Sequence, residues 1–174
     1  LVPLIIYRSH YIAGNTKPVA ELCMQLTSWG LQPMPVYVSN LRDAAMLDEL
    51  YRFLTGNGQI YPASLINTTS FSTKSLTDDQ PENEFIFSRI GVPVVQAIFA
   101  SCTLEQWEQG LFGLPPIDVA INIALPEMDG RIIGTAVSFK SDKGRDPLTD
   151  STIVAYEAYV PGCARVANMI HAWV

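Results

Sequence analysis

Leu4-Ile5-Ile6-Tyr7-Arg8-Ser9-His10-Tyr11-Ile12-Ala13-Gly14-Asn15-Thr16, with Val19, Leu22, Cys23 and Leu26 beyond it, decides the architecture of this chain. Its first four residues are an apolar run of β-forming side chains, and the four later positions fall at i, i+3, i+4 and i+7, the stripe of an amphipathic helix. Gly14 marks the turn between them, Asn15 or Thr16 is available as helix cap, and Gly30 as stop. The unit is strand, loop, helix.

The same unit recurs further on. Pro35-Val36-Tyr37-Val38 reads as a second strand, and Leu47, Leu50, Tyr51 and Leu54 are the stripe of a helix running from Asp43 to Gly56. Ala63 to Ile66 and Val92 to Ala100 supply two further buried runs. Strands alternating with helices of this length predict a doubly wound α/β domain, a mostly parallel Rossmann- or flavodoxin-like sheet covered on both faces.

Three stretches depart from the alternation. Ser72 to Glu84 is polar, without hydrophobic period, and reads as an exposed, mobile loop. From Ile117 to Leu125 every second residue is a large aliphatic, which favours a strand, while Pro116 and Asp118 are equally suited to opening a short helix. Asp129-Gly130 is a hairpin signal before the strand-like Arg131 to Phe139. Ser141 to Asp150 reads as a charged loop, and a last helix begins at Pro161 with Val166, Met169, Ile170 and Trp173 on one side.

The 174 residues suit a single domain with a substantial core, 48% of them being hydrophobic. The absence of an initiator methionine at Leu1 and the helical pattern at Val174 make an internal piece of a longer protein the expectation. A net charge of -6 with no Lys/Arg cluster excludes a nucleic-acid surface, which needs concentrated positive charge. No apolar run approaches the roughly 20 residues that span a bilayer, so no membrane span and a cytoplasmic protein are expected. Cys23, Cys102 and Cys163 lack metal-ligand or disulfide spacing and read as buried thiols.

In open parallel sheets ligands gather outside the carboxyl ends of the strands. By that rule Arg8, Ser9 and His10 follow the first strand, Asn67, Thr68, Thr69 and Ser70 the third, Ser101 the fourth, and Glu127 and Asp129 the fifth apolar run, all expected on one rim. His10 is able to ligate a borderline metal or carry a proton, or is a loop histidine bonded to backbone. Glu127, between a proline and a tight turn, suits proton abstraction if sheltered, and is otherwise a surface carboxylate. Asp129 is explained by its turn, and Arg131 is an anion clamp or the partner of Asp129. The amides of Gly14, Asn15 and Thr16, ahead of the first helix, are placed to accept a carboxylate or carboxamide. No G-x-x-x-x-G-K-[ST] is present, so no P-loop hydrolysis of ATP is expected.

Arg8-Ser9-His10 with Gly14, Asn67-Thr68-Thr69-Ser70-Phe71, and Leu125-Pro126-Glu127 with Asp129-Gly130-Arg131 stand in the order of blocks in the large, tetrapyrrole-binding subunit of ATP-dependent cobalt and magnesium chelatases, and the chain resembles that family over nearly its whole length. Tyr7-Arg8-Ser9-His10 and the Leu125 to Arg131 block look closer to the cobalt type. The resemblance implies a domain of a very large subunit that binds the macrocycle and Co2+ as substrate metal, Mg2+ being the alternative. The implied partners are separate AAA+ ATPase and integrin-I-type subunits, which use the ATP. It further implies Glu127 and His10 as metal ligands or bases, and Arg8, Ser9, Gly14, Asn15, Thr69, Ser70, Asp129 and Arg131 as substrate-binding residues. A non-catalytic tetrapyrrole or cobalt binder, and a scaffold domain, are the readings from other classes.

Overall fold

The computed structural model describes residues 1–41, 43–73, 86–111 and 113–174. In chain order the elements are β1 (Val2–Tyr7), α1 (Arg8–Ile12), α2 (Lys17–Ser28), β2 (Pro33–Val38), α3 (Ala44–Leu54), β3 (Leu65–Asn67), α4 (Ile86–Ile90), β4 (Val94–Thr103), α5 (Leu104–Gln109), α6 (Pro116–Val119), a π-helical turn (Ala120–Ala124), α7 (Leu125–Glu127), β5 (Ile132–Arg145), β6 (Thr152–Ala158) and α8 (Val160–His171).

The strands form one six-stranded sheet in the order β2-β1-β3-β4-β5-β6. The first five pair in parallel, and β6 closes the edge as an antiparallel hairpin with β5. Alternation along each strand divides the core in two, as the pleat requires. Leu4, Ile6, Ile66, Val95, Ala97 and Phe99 face α2 and α8. Ile5, Leu65 and Val94 face α3 and α4. Helices on both faces confirm the doubly wound class read from the alternation.

The helix caps behave as the sequence chemistry dictates at α3, where Asp43 accepts the amide of Met46 at 3.0 Å. At α2 they do not: neither Thr16 nor Asn15 caps with its side chain, and Asn15 Oδ1 instead accepts the amide of Tyr156 on β6 at 3.1 Å. Cys102 and Cys163 are buried and Cys23 is half-buried, all three as free thiols. Burial pushes the Cys163 thiol up to about 12, which keeps it unreactive.

Four sequence expectations are corrected. Ile117 to Leu125 takes the helical alternative that Pro116 and Asp118 allow, not the strand that the aliphatic alternation favours. Its buried positions are Asp118 and Asn122, with Pro126 four residues further on, while Ile117 and Val119 are exposed. A crossover between parallel β4 and β5 needs a helix, and the polar stripe finds hydrogen-bond partners that outweigh the aliphatic alternation. Asp129-Gly130 is therefore no hairpin. The Gly130 amide reaches the Glu127 carbonyl at 2.9 Å, and its φ of +70 turns the chain out of α7 into β5.

The hairpin lies later, between β5 and β6, closed by Asp146 N to Ser151 O at 2.9 Å. Ser141 to Arg145, expected in a loop, continue β5. Ser72, expected to be exposed, is buried against Asp129; of the remaining expected loop, positions 74 to 84 lie outside the described residues.

Candidate functional site at the switch point

The sheet order changes direction between β1 and β3, since the chain leaves β1 for β2 on one side and then crosses to β3 on the other. Loops diverge there and leave a crevice. A cleft of about 230 Å³ occupies this point, lined by Tyr7 at the end of β1, Ser39, Asn40 and Leu41 after β2, and Ser70 to Thr73 after β3.

The wall formed by Ser70 to Thr73 is held from behind by two polar networks. In the first, Asn67 Nδ2 donates to Gln96 Oε1 at 2.8 Å and to the Thr69 carbonyl at 3.0 Å. Arg131 Nη1 donates to the same Gln96 oxygen at 2.9 Å, and Nη2 to the Phe71 carbonyl at 3.0 Å and to Asp129 Oδ2 at 2.6 Å. Asp129 also accepts the Thr73 amide at 2.8 Å and the Ser72 hydroxyl at 2.5 Å. Burial pulls the Arg131 guanidinium below its ordinary value and Asp129 opposes that shift.

The second network runs along the buried stripe of the crossover. Asp118 Oδ2 accepts the Ser101 amide at 2.7 Å, and Oδ1 accepts Asn122 Nδ2 at 3.3 Å. Asn122 Oδ1 in turn accepts the Ser70 hydroxyl at 2.7 Å. Tyr7 donates its phenol to the Ser70 carbonyl at 3.1 Å, and the Phe71 amide donates to Ile121 O at 2.7 Å. A buried polar chain of this kind fixes one loop conformation, because each broken link would leave a desolvated group behind.

Of the residues singled out by sequence, Thr69, Ser70, Asp129 and Arg131 come together here. Ser70 lines the cleft; Thr69 is buried behind it. Arg131 and Asp129 are each other's partners with no exposed side-chain surface, which resolves the open alternative for Arg131.

The others lie elsewhere. Arg8, Ser9 and Gly14 are exposed, and His10 is half-buried with its ring 4.8 Å from Phe99 and 5.1 Å from Tyr156. Glu127 is exposed at the amino end of β5. Phe99 faces Ser138 whereas Ile132 faces Val95, so His10 and the start of β5 are offset by four residues of β4, roughly 13 Å at 3.3 Å per residue. The single rim expected from sequence is thus divided, because the fifth apolar run is a helix that carries Glu127 away from the strand ends. Among the described residues no group of three or more His, Cys, Asp or Glu side chains is placed to hold a metal ion.

Sequence reasoning missed Asp118, Asn122 and Gln96 as parts of the site. Two signals mark them: polar residues four apart in the crossover, and a lone glutamine inside the apolar run Val94-Val95-Gln96-Ala97-Ile98.

Fold and cleft define a doubly wound α/β domain with a crevice at the switch point of its sheet. The family model described as CobN/Magnesium Chelatase matches residues 1–174, and the chain belongs to that family. It is 36% identical over 157 residues to the aerobic cobaltochelatase subunit CobN of a Sinorhizobium species, covering 90% of this chain and 12% of the relative. The same subunit of Pseudomonas aeruginosa is 34% identical, covering 99% of this chain and 13% of the relative. The magnesium-chelatase subunit ChlH of rice is 25% identical over 168 residues, covering 95% of this chain and 12% of the relative. Among solved structures, the catalytic subunit of cobaltochelatase from Mycobacterium tuberculosis superposes with a TM-score of 0.77 at 28% identity, covering 97% of this chain and 14% of that one. The chain thus spans 12–13% of the length of these curated relatives. Among the described residues no helix is long and apolar enough to cross a membrane.

Proposed function

We propose that this domain belongs to the large subunit of a cytoplasmic, ATP-dependent cobaltochelatase that inserts Co2+ into a corrin-type tetrapyrrole, hydrogenobyrinic acid a,c-diamide, in cobalamin biosynthesis. The observation that carries the reading is the higher identity to cobaltochelatase subunits, 36% and 34%, than to the magnesium-chelatase subunit, 25%. In this reading ATP is used by separate AAA+ and integrin-I-type subunits, as the family resemblance implies, and no P-loop motif stands in this sequence.

Insertion requires stripping water from the ion and removing the ring N–H protons. Glu127, exposed at the end of α7, is available to a substrate held by the remainder of the subunit. Its role is to accept a proton or pass on the metal. His10 and Arg8 stand at the carboxyl end of β1, His10 as ligand or base and Arg8 to pair with a ring carboxylate.

The test is metal insertion by the full-length parent with its ATPase partners, wild type against Glu127→Gln, with macrocycle binding followed in parallel. Cobalt insertion by wild type, lost in Glu127→Gln with binding retained, is expected. Insertion of Mg2+ into protoporphyrin IX but not Co2+ into the diamide would replace the cobalt reading with the magnesium one. Binding without any insertion would favour a non-catalytic tetrapyrrole binder.

A further inference from the structure

Five hydroxyl-bearing residues line the switch-point cleft, Tyr7, Ser39, Ser70, Ser72 and Thr73, and three of them have their protons directed to partners in the surrounding wall. Tyr7 donates to the Ser70 carbonyl, Ser72 to Asp129, and Ser70 to Asn122. The direction at Ser70 is imposed from a distance. The carboxylate oxygens of Asp118 accept from the Ser101 amide and from Asn122. Asn122 must therefore turn its NH2 toward Asp118 and its carbonyl toward Ser70. The Ser70 proton is committed to that carbonyl, and its lone pairs are what remain for the cleft.

Charge reinforces the polarity. Asp129 is matched by Arg131 at 2.6 Å, whereas among the described residues no ion pair is seen to Asp118, which is only 1% exposed. At Ser70 the wall thus offers an acceptor with the buried Asp118 carboxylate behind it, an arrangement that disfavours an anion at that point and suits an N–H donor. The volume, about 230 Å³, is below the roughly 300–1,000 Å³ of pockets that enclose a whole drug-sized ligand. It fits one side arm of a larger molecule.

We propose that the cleft is a specificity subsite for an uncharged, N–H-donating side arm of the macrocycle, a primary carboxamide, and that Ser70, aligned by Asn122 and Asp118, discriminates it from a carboxylate. Ser70 touches the arm; Asn122 and Asp118 are positioning residues. The inference rests on the tetrapyrrole reading above.

Equilibrium binding to the full-length parent tests it, with hydrogenobyrinic acid a,c-diamide and the corresponding uncapped acid as probes, followed by quenching of protein fluorescence. Wild type should prefer the diamide by at least about tenfold, the scale of one well-placed hydrogen bond. Ser70→Ala should erase most of that preference by weakening the diamide while leaving the acid nearly unchanged. Asp118→Asn should also lower the ratio, since an amide at 118 no longer dictates which way Asn122 points. A purely structural role predicts equal weakening of both probes, or none. Either result in Ser70→Ala, a variant that keeps the backbone contacts, would overturn the proposal even if Asp118→Asn fails to fold. Cobalt ion alone titrating the cleft, lost in Ser70→Ala, would overturn it in favour of a cation site. Wild type that binds neither macrocycle removes the tetrapyrrole reading and this inference with it; binding without preference removes the inference alone.

Discussion

Arg131 Nη2 lies 2.6 Å from Asp129 Oδ2, and neither side chain has any exposed surface. The pair joins the start of β5 to the loop after β3, so that a charge interaction two residues apart in sequence sets the shape of a cleft wall built from residues about sixty positions earlier. Removing one partner leaves the other charged and desolvated. Asp129→Ala or Arg131→Ala should lower the domain's stability by about 3–5 kcal/mol, whereas replacing both by apolar residues of similar volume should recover much of the loss. Urea denaturation of the two single variants and the double variant reads this out; single variants within about 1 kcal/mol of wild type would contradict it.

Burial lowers the pKa of His10 below its ordinary 6.5. The folded state therefore favours the neutral ring, so this contribution is fully present above 6.5 and lost as the pH falls through the lower folded value. His10→Phe, which keeps an aromatic ring against Phe99 and Tyr156, should flatten the dependence of the unfolding midpoint across that window. An unchanged slope would show that protonation of His10 is not linked to folding.

Gly162 lies in the first turn of α8, where a Cβ would stand 1.9 Å from the Ala136 carbonyl oxygen on β5. The nearest obstacle is backbone, which cannot yield as a side chain can, and the Tyr159 ring stands 2.8 Å away on the same site. Gly162→Ala should separate α8 from the sheet and cost at least about 3 kcal/mol. Thermal unfolding checks it, with Gly30→Ala as a contrast in which nothing lies within 4 Å but the φ of +74 carries its own, smaller strain.

Glu157 holds Lys17 at 2.9 Å and also meets Lys143 on the surface of β6. Those two lysines hold its carboxyl below the usual carboxylate range. Exposed pairs are screened by solvent, so Glu157→Gln should cost less than about 1 kcal/mol, and the difference should shrink as salt is raised through the physiological range. A larger, salt-independent loss would mean that Glu157 packs rather than pairs.

Glu127 is exposed and has no described role in holding the fold together. Glu127→Gln should therefore leave the unfolding free energy within about 0.5 kcal/mol of wild type. Any loss of metal insertion in the full-length parent would then report on chemistry, and a destabilised variant would withdraw that interpretation.

Local pattern was enough to find β1, α2, β2, α3, β4 and α8, because each carries an unambiguous period and must bury one stripe or both faces of a strand. It failed at Ile117 to Leu125, where alternating aliphatics carry the strand period on what is physically a helix. Their spacing implies one buried aliphatic face, yet the residues that enter the core are Asp118, Asn122 and Pro126. With the segment helical, Glu127 stands off the strand rim and the hairpin falls one strand later, between β5 and β6.

By itself the sequence determined the class of fold and the absence of a P-loop motif, since these follow from local periodicity and from ordered motifs. Only the tertiary structure decided that Thr69, Ser70, Asp129 and Arg131 come together while His10 and Glu127 stand apart, that Arg131 faces Asp129 rather than a ligand, and that Asp118 governs the hydrogen-bond polarity at Ser70. Those outcomes depend on which polar groups meet across the sheet once water is excluded. Burial makes each such meeting obligatory, and no spacing along the chain announces its partner.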